Sequence, residues 1–259
     1  KIFFYSNYFY KKKINIDNYQ YLIAFDYEGL KIVDNISKRS KIKIIFFSLE
    51  IENRKSISQN AKKIMSKVHM IITQHESRKV ILSDLYSISS KDIYILPNSS
   101  LGGVIKQSSN FFLEKFKISN GKIIVLLAGT LGSDHCIDKI ISTIPKWSEN
   151  FVCILHGWFV EPKVKEIYFK LKKLFPEKIY YSNEILPFDE KRKIFQSIDI
   201  GIVSFNPKNK NLKSAVGSAG KLYDLLKCGK PIIINNLPFA AEMVEHSECG
   251  YVINHFSDL

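Results

Sequence analysis

The feature that most constrains this fold is an alternation of short apolar runs and helical stretches that spans the chain and restarts once. From residue 21 onward, β-branched and aromatic runs at 21–25, 42–48, 69–73 and 92–96 alternate with amphipathic stretches at 28–38, 54–68 and 76–86. The pattern then resumes, with strands predicted at 122–128, 151–156, 178–181, 198–203, 231–235 and 251–253 and helices near 137–144, 162–175, 189–196, 220–227 and 240–246. Strands separated by helices pair in parallel through crossovers, and buried parallel strands are apolar nearly throughout because helices cover both sheet faces. Ile123-Ile124-Val125-Leu126-Leu127 meets that requirement. Two successive series predict an α/β protein with two doubly wound parallel sheets. The expected domains are 1–105 and 121–259, with a linker over 106–120. Pro97-Asn98-Ser99-Ser100-Leu101-Gly102-Gly103 and the polar clusters Ser108-Ser109-Asn110 and Ser119-Asn120-Gly121 mark the break. Ligands of such sheets bind beyond the carboxyl ends of the strands.

Composition narrows the function classes. With 259 residues, 46% of them hydrophobic, the chain is neither disordered nor collagen-like, and it can bury more than one core. The net charge of +13 invites a nucleic-acid reading, but arginine occurs only at Arg39, Arg54, Arg78 and Arg192. Lysine lacks the planar fork that reads phosphates and guanine edges, so no nucleic-acid partner is expected. The charge is uneven: residues 1–120 carry 20 Lys+Arg against 10 Asp+Glu, and residues 121–259 carry 18 against 15. The first half is expected either to meet an anionic surface or acceptor, or simply to carry solvated lysine faces. Cys136, Cys153, Cys228 and Cys249 are widely spaced and show no C-x-x-C pattern. They are expected to be reduced thiols of a cytoplasmic protein. No apolar run approaches the ~20 residues of a membrane span, and Lys1-Ile2-Phe3-Phe4-Tyr5 reads as the interior of a longer protein.

The most informative stretch runs from Ser218 to Ile234. Ser218 can cap a helix, Gly220 lets a ligand approach the backbone, and Lys221 adds positive charge at the same end, where free amides and the helix dipole attract an anion such as a diphosphate. Asp224 lies one turn further along, placed to accept hydrogen bonds from sugar hydroxyls. An ordinary capped helix leading into a buried strand explains the same residues.

Several segments together resemble the retaining GT-B glycosyltransferases of the family-four type. Gly220-Lys221-Leu222-Tyr223-Asp224 through Cys228-Gly229-Lys230-Pro231-Ile232, then Pro238, Glu242-Met243-Val244 and Cys249-Gly250-Tyr251-Val252, resemble their donor domain. Phe151 to Gly157 and Asp199 to Val203 resemble two of its strands, and Ile95-Leu96-Pro97-Asn98-Ser99 resembles the crossing between domains. The segments 21–26, 45–50 and 71–74 with Arg78 resemble later parts of the acceptor domain.

The resemblance implies two Rossmann-like domains, the first incomplete, and a bacterial enzyme of polysaccharide biosynthesis. It would move a sugar from a nucleotide-diphosphate donor to a saccharide or lipid-linked acceptor of cell-surface glycans, without an obligatory metal or other cofactor. The protein would be cytoplasmic, peripherally associated with the inner membrane face, its acceptor approaching from the basic first domain. The donor is expected at Gly129, Thr130 and His135 and along Ser218, Ala219, Gly220, Lys221, Leu222 and Asp224. Asp224 takes the place of the second glutamate of the family's E-x7-E motif, while the first falls at Val216; Thr130 and His135 stand where the family has arginine and lysine. These departures keep two alternatives open: a non-catalytic module binding nucleotide or glycan, and a GT-B-fold sugar-nucleotide epimerase.

Other residues carry less. Glu50 is a candidate catalytic residue, orienting an acceptor hydroxyl at a strand end, or else a surface group beside Glu52 and Arg54. His69 and His75 lack partners at metal spacing, so no metal site is expected. Trp158 and Phe159 read either as stacking groups or as core. Lys11-Lys12-Lys13 beside Tyr8, Phe9 and Tyr10 reads as a membrane contact or an exposed loop.

Overall fold

The computed structural model of the chain describes residues 18–37, 41–51, 59–187 and 189–259, with the side chains of 59, 60 and 210 left aside. The basic segment 11–13, Glu52, Arg54 and the first residues of the helix expected at 54–68 lie outside the described residues. Two compact units divide the chain, Lys1–Pro97 and Asn98–Leu259.

In the first unit, strands β1 (Tyr21–Phe25), β2 (Lys43–Phe47), β3 (Met70–Thr73) and β4 (Ile93–Ile95) form a parallel sheet in sequential order. Helices Asp26–Ser37, Gln59–Met65 and Glu76–Tyr86 supply the crossovers. Side chains alternate across a strand, so Ala24, Ile44, Phe46, Ile71 and Ile93 meet Leu30, Ile64 and Leu82 in one core. On the opposite side Tyr21, Ile23, Phe25 and Tyr94 are exposed. The expectation of strands buried on both faces therefore fails for this sheet among the described residues. The loop after β2 is held from two sides. Asp26 Oδ1 accepts from the amides of Leu49 at 2.7 Å and Glu50 at 2.9 Å, and Arg78, 2% exposed, donates through Nη1 to the Leu49 carbonyl.

The second unit meets the expectation. Its parallel strands β5 (Ile123–Leu131), β6 (Phe151–Phe159), β7 (Ile179–Ser182), β8 (Ile200–Val203), β9 (Ile232–Asn235) and β10 (Gly250–Ile253) pair in the order β10-β9-β8-β5-β6-β7. Ile124 and Leu126 face one core with Phe112, Leu222 and Leu225, whereas Val125 and Leu127 face the other with Ile140, Val164 and Leu171. Each of these buried aliphatic or aromatic side chains contributes about 1.5–3 kcal/mol of transfer free energy. Asp199 continues the ladder by accepting the Ile124 amide at 2.7 Å.

The segment expected as a linker over 106–120 belongs to this unit. Phe111–Phe116 is a helix whose Phe112 is fully buried in the first of these cores, and the Gln107 carbonyl accepts from Gln196 Nε2 at 2.8 Å. The polar clusters that read as a linker are the two ends of this helix; its aromatic spacing at 112 and 116 is the apolar stripe that packs it down.

Candidate functional site

Strand β5 is the switch point of the second sheet: the chain passes to β6 and β7 on one side, then returns to β8 on the other. Crossovers diverging from one strand open a crevice beyond its carboxyl end. A cavity of about 530 Å³ lies there, between the ends of β5 and β6, the segment after β7, and the start of the helix Gly220–Lys227. A hollow of about 550 Å³ beside Trp147, Ile200 and Tyr251 lies against the flank of the sheet instead.

Glycine shapes the floor of the crevice. Gly129 and Gly157 are paired in register, with φ of 104° and 147°, and a Cβ on Gly157 would sit 1.8 Å from the Gly129 carbonyl oxygen. Only glycine permits that approach and those backbone angles. Tyr181 fixes the turn by donating to the Gly157 carbonyl at 3.1 Å. Beyond it the strand diverges in character: Trp158, 61% exposed, lines the cavity, whereas Phe159 packs its ring 4.8 Å from Tyr181 and 5.6 Å from Tyr168. Of the two expected stacking groups, Trp158 alone reaches the cavity.

His135 enters on the loop after β5. Its Nδ1 lies 3.3 Å from the Ser204 carbonyl oxygen and 3.5 Å from Lys221 Nζ, and its ring packs at 5.4 Å on Phe205. Burial, with the Lys221 charge second, pulls the imidazole down to about 4, so it is neutral at pH 7. Lys221 Nζ donates to the Ala128 carbonyl at 3.3 Å and lies over the Phe205 ring, and burial lowers its ammonium to about 8. Phe205 is itself pinned through its backbone by both arms of the Asn235 amide at 3.0 Å.

The expected helix cap differs from what is seen. Ser218 Oγ donates to the Ala215 carbonyl at 3.1 Å, so Ala219 takes the N-cap place and provides no side-chain cap. Among the described residues, the first amides of the helix, at Gly220 and Lys221, have no side-chain cap, and both residues line the cavity. Leu222 is fully buried in the core and can act only through its backbone. Asp224 reaches the rim of the cavity, with Oδ1 accepting from Ser100 Oγ and Oδ2 3.6 Å from Lys191 Nζ.

The structure thus gathers Gly129, Thr130, His135, Ala219, Gly220, Lys221 and Asp224 around one cavity. Ser218 and the Leu222 side chain turn away from it. Glu50 sits in the first unit, exposed at the end of β2, with its backbone tied to Asp26. Sequence reasoning missed His156, Glu184 and Lys191, which also line the cavity. His156 could have been found from its place at the end of a predicted strand in register with Ala128; Lys191 carries no such signal within its charged run. Among the described residues, no group of three or more His, Cys, Asp and Glu converges as a metal site, and no helix is long and apolar enough to cross a membrane.

No protein-family model matches the chain, and no curated protein matches it. Solved structures do. HepE of Anabaena in complex with UDP superimposes with a TM-score of 0.73 at 12% identity, over 99% of this chain and 69% of that one. The α,α-trehalose-phosphate synthase (UDP-forming) of Burkholderia vietnamiensis gives 0.70 at 11% identity, over 98% and 66%. Sucrose-phosphate synthase of Thermosynechococcus elongatus gives 0.70 at 9% identity, over 97% and 64%. The fold is GT-B. In GT-B terms the four-stranded unit is the first Rossmann-like domain and the six-stranded unit the second, and the cavity at β5 belongs wholly to the second. The chain spans about two thirds of the length of these GT-B proteins.

Proposed function

We propose that this protein is a glycosyltransferase that takes its sugar from a nucleoside-diphosphate donor held in the second unit. The observation that carries the reading is the uncapped start of the Gly220–Lys227 helix, with Lys221, facing the glycine-lined end of β5. Breaking the bond between sugar and diphosphate leaves charge on the phosphate oxygens. Preorganised N–H groups and a cation aimed at those oxygens stabilise it without reorganisation. The Gly220 and Lys221 amides and the Lys221 ammonium serve the diphosphate, Gly129 and Thr130 admit it close to the backbone, and Asp224 accepts from the ribose hydroxyls. Glu50, exposed in the first unit, is assigned to orienting the acceptor hydroxyl. The UDP and UDP-glucose complexes of HepE support a nucleotide-sugar donor. A saccharide or lipid-linked acceptor of a bacterial cell-surface glycan, met at the cytoplasmic membrane face, fits the excess of lysine in residues 1–120.

One observation favours a second reading, a module that binds nucleotide or glycan without turnover. Val216 is 1% exposed inside the apolar core at the place where the resemblance implies a carboxylate. Incubation with UDP-, GDP- and ADP-sugars, with and without saccharide acceptors, separates the readings by nucleoside-diphosphate release. Acceptor-dependent release supports the transferase, binding without turnover supports the module, and an isomerised donor points to an epimerase.

A further inference from the structure

The segment that opens the second unit lies along the Gly220–Lys227 helix and is bonded to it at intervals. Asn98 Nδ2 donates to the Ser218 carbonyl at 2.6 Å, Lys227 Nζ to the Leu101 carbonyl, and the Ile105 amide to the Lys227 carbonyl at 2.8 Å. Gly102, at φ 86°, makes the turn between these contacts. Within this register Ser100, half-buried, donates its hydroxyl to Asp224 Oδ1. The other carboxylate oxygen, Oδ2, faces Lys191 at 3.6 Å. An aspartate on a helix surface ordinarily samples several rotamers. Here a fixed hydroxyl on one oxygen and a cation beside the other select one. Each carboxylate oxygen retains a lone pair for a further donor.

We propose that Ser100 is a positioning residue, holding the Asp224 carboxylate in the orientation that reads the 2′- and 3′-hydroxyls of a bound nucleotide. The inference rests on the donor reading and sharpens it: the site tells ribonucleotides from nucleotides that lack ribose hydroxyls, and Ser100 sets how well. Ser100 touches Asp224 but does not itself line the cavity, so loss of Ser100 acts on the ribose contact and leaves the diphosphate contact intact.

The test compares ADP, GDP and UDP with their 2′,3′-dideoxy counterparts by calorimetry on the whole chain, in the wild type and in Ser100→Ala, Ser100→Thr and Asp224→Ala. Hydrogen bonds to a charged group carry enough free energy for a preference of about tenfold or more for the ribonucleotide in the wild type. Ser100→Ala is expected to reduce that preference about threefold to tenfold while dideoxynucleotide affinity stays the same, and Ser100→Thr, which keeps the hydroxyl, restores it. Asp224→Ala abolishes the preference. An unchanged ratio in Ser100→Ala overturns the positioning role, as does an equal loss for both nucleotide series. A wild type that binds nucleotides without preferring ribose overturns the role of Asp224 and Ser100 but leaves the diphosphate site standing. A wild type that binds none of them overturns the donor reading and this inference together.

Discussion

Lys221 is the group on whose charge the donor reading most depends, and its titration is open to measurement. Burial lowers the ammonium to about 8, so about nine molecules in ten carry the charge at pH 7 and about one in ten at pH 9. A diphosphate favours the charged form and lifts the pKa in the complex, so binding above pH 8 takes up a proton. Affinity is therefore full below the pKa of the free protein and falls as pH rises through it, by about tenfold between pH 7 and 9. The last phosphate ionisation, near 6, is about nine-tenths complete at pH 7 and can change affinity across this window only slightly and in the opposite sense, and His135, held near 4, is neutral throughout it. Calorimetric titration with UDP and GDP at pH 7, 8 and 9 reads the effect. Lys221→Met is expected to weaken binding at pH 7 by about tenfold to a hundredfold, the range for a charge-assisted hydrogen bond, and to flatten the profile. Lys221→Arg keeps the affinity and flattens the profile too, because a guanidinium stays charged. A flat wild-type profile, or a fall with pH that survives in Lys221→Met, refutes the reasoning.

Three other outcomes are expected. Gly157→Ala places a methyl 1.8 Å from the Gly129 carbonyl oxygen with no room to turn aside, so it is expected to cost more than about 3 kcal/mol, read as a lowered denaturant midpoint or loss of soluble protein. Arg78→Met removes the donor to the Leu49 carbonyl and the countercharge to Asp26 and Glu50, and a destabilisation of about 2–4 kcal/mol in urea is expected. The charged side chains lining the cavity are Lys191 and Lys221 against Glu184 and Asp224; because their formal charges cancel, raising salt tenfold should weaken nucleotide binding by less than about threefold, and a steeper slope in titrations would show that a wider basic field does the binding.

The alternation of apolar runs was sufficient to read the α/β class, the restart and the strands and helix that border the cavity, because periodicity and β-branching report directly on burial. Strand ends were harder: β5 and β6 run on through Gly129 and Gly157 to Leu131 and Phe159, past glycines that sequence reading takes as stops. The local reading of 106–120 failed because a short helix such as Phe111–Phe116 is defined by the core it enters, not by its own propensity. The same limit governs the site. Gly220, Lys221 and Asp224 share one helix, so local spacing reveals them. The Ser100 contact to Asp224 joins residues 124 positions apart, and the Lys221 contact to His135 joins residues 86 apart. Neither leaves a trace in spacing.

The electrostatics of the cavity run against the first impression given by a chain of net charge +13. Thr130 is neutral, His135 is neutral at pH 7, and the two lysines at the cavity are matched by two carboxylates. On the donor reading proposed above, an anion would be held less by the net charge of the cavity than by direction: the amides at the start of one eight-residue helix and one ammonium in the same place. Such a hold would be short-ranged and need close approach, and the strands beside it meet at Gly129, whose Cβ position is open space, and Gly157, where a Cβ would strike the Gly129 carbonyl oxygen. The ammonium would also be the weak member of the set, since the burial that would strengthen a contact with phosphate lowers its own charge. On that reading nucleotide binding and protonation of Lys221 are two halves of one equilibrium, and neither can be altered without moving the other.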